Sequence, residues 1–151
     1  MAARKSGAKS RELFSAEERA AMREAVRERR TRSRPGNADG EAEVVAKIAE
    51  MQPSDRAIAK RVHAIMQAHA PPLVPRTWYG MPAYSKDERV LCYFRPAEKF
   101  KTRYATLGFS DEAHLDEGRM WPTEFALTEM TAAEEARVAA LVERALGGAA
   151  P

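Results

Sequence analysis

Residues 81–94 read MPAYSKDERVLCYF, and their reading decides the fold. Val90-Leu91-Cys92-Tyr93-Phe94 is a short, nearly continuous apolar run of the kind a buried strand needs. The polar triplet Lys86-Asp87-Glu88 before it can reverse the chain, pairing the run with residues 81–85 as a β-hairpin. Downstream, RYATLGF at 103–109 alternates well enough for a further strand, and Phe125-Ala126-Leu127 suggests a last one. Thr131 with Glu134 three residues later forms a capping box, in which the hydroxyl accepts from first-turn N–H groups. It opens a final helix whose Val138, Leu141, Val142 and Ala145 share one face, and Gly147-Gly148 ends it.

Upstream, the hydrophobic period changes from two to 3.6. Ile58, Val62, Ile65, Met66 and His69 follow the spacing of a single buried helical stripe. Pro53-Ser54-Asp55 is expected to cap that helix, and Pro71-Pro72 ends it. A preceding helix over 40–51 places Val45, Ile48 and Ala49 on one face, so the two read as an αα-hairpin. Ser15 and Glu18 form another capping box, which opens a helix over 16–32. Its only sizeable apolar groups are Met22 and Val26, one turn apart, so it is expected to lie on the surface or to project. The predicted organisation is a disordered leader at 1–14, a basic helical arm and linker at 15–36, and an α+β domain at 39–148. Within that domain an αα-hairpin, an antiparallel β-meander and a C-terminal helix make a two-layer sandwich.

Composition bounds the function classes. The chain has 151 residues, 44% of them hydrophobic and 31% charged, which suits one modest core. No run approaches the ~18 apolar residues of a membrane span. The basic N-terminus has no apolar stretch behind it, so it does not read as a secretory signal. One cysteine, Cys92, offers neither an internal disulfide nor a CxxC site, which points to a reducing cytoplasm. The net charge of +3 is unevenly spread. Residues 1–40 hold eleven Lys/Arg against six Asp/Glu, whereas residues 41–151 hold fourteen against sixteen. The basic character thus belongs to the arm.

The segments WYGMPAY (78–84), VLCYF (90–94), KFKTRYATLGF (99–109) and MWPTEFAL (120–127) occur together and in order. Through them the chain resembles, over roughly residues 40–146, the YdhG-like family of bacterial proteins of unknown function. The resemblance implies a frataxin-like α/β sandwich. At least one member of the wider family is described as an intracellular iron chaperone, so the resemblance also implies iron as a candidate ligand. It supplies no catalytic residues. Where family members commonly carry Asp-Gly in the hairpin turn, this chain has Asp87-Glu88. Glutamate is strained at positive φ where glycine is not, so the turn is expected to be longer or of another type.

Three groups of residues could carry chemistry. Asp111, Glu112, His114, Asp116 and Glu117 combine hard oxygens with an imidazole, donors suited to Fe(II) or Mn(II), with Asp111, His114 and Asp116 the best single choices. Their spacing matches no established metal motif, and a solvated acidic loop is the competing reading. Trp78, Tyr79, Tyr84, Arg95, Lys99, Lys101 and Arg103 set cations among aromatics, as a pocket for a small anion would, or as sheet patterning would. Arg29, Arg30, Arg32 and Arg34 could contact nucleic-acid phosphates, or simply be a solvated helix end. No GxSxG, P-loop or GxGxxG is present, and Cys92 sits within an apolar strand. The sequence therefore reads as a non-enzymatic binding protein for a metal ion, iron by resemblance, or for a small anion. The alternative is an interaction module whose arm binds nucleic acid or an acidic partner.

Overall fold

The computed structural model describes residues 14–32 and 39–147. Among these residues five helices, α1 (Ala16–Arg32), α2 (Gly40–Ala49), α3 (Pro53–His69), α4 (Ala97–Phe100) and α5 (Ala132–Ala145), accompany five strands. The strands β1 (Val74–Trp78), β2 (Met81–Lys86), β3 (Arg89–Arg95), β4 (Ala105–Phe109) and β5 (Glu124–Leu127) form one antiparallel sheet in sequence order. The protein is α+β, and among the described residues no helix is long and apolar enough to cross a membrane.

Strand alternation divides the sheet into two faces. Tyr84, Cys92, Phe94, Leu107 and Phe109 turn towards the helices and join Val44, Ile48, Ile58, Val62, Met66, Val138 and Val142 in the hydrophobic core. Sealing a side chain the size of Val62 or Met66 from water contributes roughly 1.5–3 kcal/mol. The alternate residues Trp78, Ala83, Tyr93, Arg95, Thr106 and Gly108 belong to the opposite face, and none of them is part of that core.

Several sequence expectations change here. Val44, not Val45, enters the core, and Val45 is 50% exposed. The helical stripe of α3 holds at Ile58, Val62, Ile65 and Met66, but His69 lies outside it, paired with Glu143 at 2.7 Å. His63 is the buried histidine, with Nδ1 2.8 Å from the Tyr84 hydroxyl. Gln52 precedes α3, with Pro53 in its first turn, and the Asp55 carboxylate serves a distant helix instead. It accepts from the Ala97 and Glu98 N–H groups at 3.1 and 3.0 Å, the exposed start of α4. The β2–β3 turn is not lengthened. Lys86 pairs with Arg89 across two residues, Asp87 and Glu88, both at positive φ (51° and 67°). The hairpin's twist demands that conformation, and Glu88 accepts the strain.

The first helix does not project. Ser15 caps it, accepting from the Glu18 N–H at 3.0 Å, as its capping box implies. Ala21 and Ala25 are buried, whereas Met22 and Val26 face outward. Glu24 binds Lys99 at 3.0–3.1 Å and lies 3.4 Å from Lys47. Glu28 takes the Tyr79 and Gly80 N–H groups at 3.0 and 2.9 Å. Small residues and acids on one helical face hold α1 down; its larger apolar groups play no part.

Candidate functional site

The second sheet face carries a site built around one glycine. Ala83, Tyr93, Gly108 and Glu124 lie in register across β2, β3, β4 and β5. Gly108 is in an extended strand, where glycine has no backbone advantage, yet a Cβ there would overlap the Tyr93 ring and hydroxyl. The missing side chain lets the phenol lie across the neighbouring strand. Tyr93 then reaches Glu124, donating its hydroxyl to Oε1 at 2.7 Å. On its other side the ring meets Trp78 at a centroid distance of 5.4 Å, tilted by 54°. Burial, the hydrogen bond to Glu124 and the charge of that carboxylate push the Tyr93 phenol up to about 12, partly opposed by Arg95.

Arg95 flanks this pair from β3, its Nη2 3.8 Å from Glu124. Its Nε is buried and, among the described residues, has no hydrogen-bond partner. Arg76, opposite Ala83 on β1, adds a second half-buried guanidinium to the same face. The result is a half-buried aromatic platform between two arginines, with one glutamate at its edge. A planar group can stack there, and an anionic substituent can meet a guanidinium.

The other expected anion-pocket residues are dispersed. Tyr84 points into the core, and burial, then Cys92 and Glu41, raise its phenol far above the ordinary value. Tyr79 sits in the β1–β2 turn with its ring edge-on to Trp78 at 5.1 Å. Lys99 lies beneath that turn, donating to the Gly80 carbonyl at 3.2 Å as well as to Glu24. Lys101 ends α4 in a left-handed conformation and pairs with Glu98 at 3.2 Å. Arg103 stacks over the Tyr104 ring at 5.5 Å. Trp78 and Arg95 alone of the seven share the platform. Arg76, Tyr93 and Glu124, which lie outside the expected set, complete it, and the isolated glycine within the LGF of β4 is the one sequence signal of this close approach.

The acidic loop between β4 and β5 spreads its donors. Glu112 is bound to Arg89 at 2.6 Å, and Glu117 faces Arg144 at 3.8 Å. Arg144 also donates to the Asp116 carbonyl at 3.1 Å. The His114 N–H donates to the Ala145 carbonyl at 2.9 Å, and its imidazole rests beside Gly147. Asp111 is exposed. Among the described residues, no group of three or more His, Cys, Asp and Glu side chains is placed to hold a metal ion. Through Glu112 and His114 the loop borders a cleft of about 320 Å³ shared with Lys86 and Arg89.

In the arm, Arg29 is exposed, while the side chains of Arg30 and Arg32, and Arg34 altogether, lie outside the described residues, as does the leader up to residue 13. Cys92 is sealed in the core, where burial pushes its thiol well above the ordinary range. Compared with family models, with curated proteins and with solved structures, the chain matches none of them.

Proposed function

We propose that this chain is a non-enzymatic binding protein of the YdhG-like, frataxin-like type, and that its ligand surface is the second face of the sheet. The observation that carries the reading is the Tyr93 ring laid over Gly108 and against Trp78, beside the buried, unpartnered Nε of Arg95. Such a platform suits a planar ligand bearing a carboxylate or phosphate. Tyr84, Cys92 and Tyr93 all hold their protons more tightly than usual, so none of them offers a base or nucleophile near neutral pH.

The test uses Trp78 fluorescence in a Trp121→Phe background, titrated with AMP, 1-naphthoate, inorganic phosphate and uncharged 2-naphthol. Saturable quenching by the planar anions, weakened about tenfold by Arg95→Gln, is expected; that ratio corresponds to about 1.4 kcal/mol. Equal responses to naphthoate and naphthol, or an unchanged affinity in Tyr93→Ala, would sink the reading. Iron is tested beside it by anaerobic calorimetry. Saturable Fe(II) binding that disappears when Asp111, His114 and Asp116 are replaced by Ala would move the ligand site to the acidic loop.

A second reading, an arm that binds nucleic acid, is favoured by how α1 sorts its charges. Glu24 and Glu28 turn towards the domain, whereas Arg19, Arg23, Arg27 and Arg29 are exposed beside Met22 and Val26. Such binding would weaken steeply with salt and vanish on deleting residues 1–36; unchanged affinity after the deletion removes it.

A further inference from the structure

The β1–β2 turn is an anion receptor already filled from within the chain. Trp78 pairs with Met81, so the turn has two residues, Tyr79 and Gly80, both at positive φ (51° and 75°). Successive N–H groups in such a turn point to one side and form a concavity for negative oxygen. The Glu28 carboxylate occupies it with both oxygens, Oε2 on the Tyr79 N–H and Oε1 on the Gly80 N–H. One helical turn earlier, Glu24 takes the Lys99 ammonium on both oxygens and faces Lys47. A Cβ on Gly80 would overlap the Glu24 carboxylate and the Lys99 ammonium where they now sit, and at a φ of 75° any other side chain would be strained. Lys99 also holds the Gly80 carbonyl, tying both halves of the receptor together.

We infer that this surface is a docking site for an acidic helix with two carboxylates four residues apart, and that α1 is its resident competitor. The occupant's chemistry is read from α1 itself, where Ala21, Glu24, Ala25 and Glu28 form the contact face. The two alanines bury little apolar area, so docking depends on polar contacts that another acidic helix can reproduce. Charge complementarity supplies the selectivity, because Lys47 and Lys99 would each be left without their Glu24 contact by an uncharged helix. A tethered helix acts at an effective concentration in the millimolar range, so a partner must displace it or bind when it is released.

The test uses the full chain and a capped peptide of residues 15–32, labelled at its N-terminus. Wild-type protein is expected to bind it weakly. Full-length Glu24→Gln/Glu28→Gln, which removes both charges from the resident helix and weakens its hold on the receptor, is expected to bind it at least tenfold more tightly. A peptide carrying the same two glutamines should not bind, and adding Lys99→Gln to the protein should lose the gain. Circular dichroism and amide spectra establish that each variant is folded. Equal binding of the Glu and Gln peptides, or no gain in the folded double variant, overturns the inference.

Discussion

Replacing Asp55 by Ala should cost about 3 kcal/mol. Its carboxylate is 4% exposed and supplies an acceptor to each of the Ala97 and Glu98 N–H groups, which open α4. Pro96, at the cap position, has no side chain that could do so. Hydrogen bonds to a charged group contribute about 1.5–3 kcal/mol each, and loss of a helix cap costs about 0.5–2 kcal/mol. Water entering the vacated space recovers part of two such bonds, which leaves about 3 kcal/mol. Asp55→Asn keeps an acceptor but loses the charge, and should cost about half as much. Urea unfolding should show the midpoint falling without a change in slope, and thermal unfolding a drop of about 10 °C. Faster hydrogen exchange localised at the amides of Ala97 and Glu98 would confirm the cause. A loss below about 1 kcal/mol in Asp55→Ala, or no change in exchange at those amides, would refute the argument.

Gly108→Ala should lift the Tyr93 ring off β4 while leaving the core intact, so Tyr93 ring shifts should move and any platform ligand should weaken with a small stability change. Burial raises the Tyr93 phenol most and the Glu124 carboxylate adds to it, so in Glu124→Gln its titration, followed by ring NMR, should fall below about 12 yet stay above the ordinary value near 10. For Glu24, burial raises the pKa but Lys99 and Lys47 more than offset it, leaving the carboxyl below its ordinary range. Its folded value is therefore depressed, so its share of α1 docking is complete above the unfolded value of about 4.3 and disappears as pH falls through the folded one. The Ala21 and Ala25 amides should report that acid transition, and in Glu24→Gln they should not.

How much of this was legible follows from the range of the interactions. The β2–β3 hairpin and the stripe of α3 were readable because their patterns are local and dense. β1 was not, since Pro75 and Arg76 break its apolar character, and its place in the sheet depends on pairing with β2. Asp55 looked like a cap for α3, and only the folded chain brings it to residues 97 and 98. Among the histidines, a shift of one helical position decided which was buried: His63 faces Tyr84, while His69 reaches the surface beside Glu143. The platform was half visible, through Trp78 and Arg95. Its keystone was an absent side chain, which composition records only as a glycine in a strand.

The arm's charge also reads differently once folded. In sequence, Glu24 and Glu28 dilute a basic helix and argue against an electrostatic role for it. In the structure both acids are spent on Lys47, Lys99 and the β1–β2 turn, so they screen the domain and not the solvent face of α1. The outward surface is more basic than the net charge of its segment implies. The same docking bears on the sheet, because the turn that Glu28 holds is continuous with Trp78, and Trp78 contacts both Tyr79 and Tyr93. Among the described residues β1 is an edge strand paired only with β2, so its far end depends on such side contacts for order. A helix that fixes residues 79 and 80 therefore also steadies one half of the aromatic platform. Release of α1 would expose an anion receptor on one side of the turn and loosen the Trp78 ring on the other.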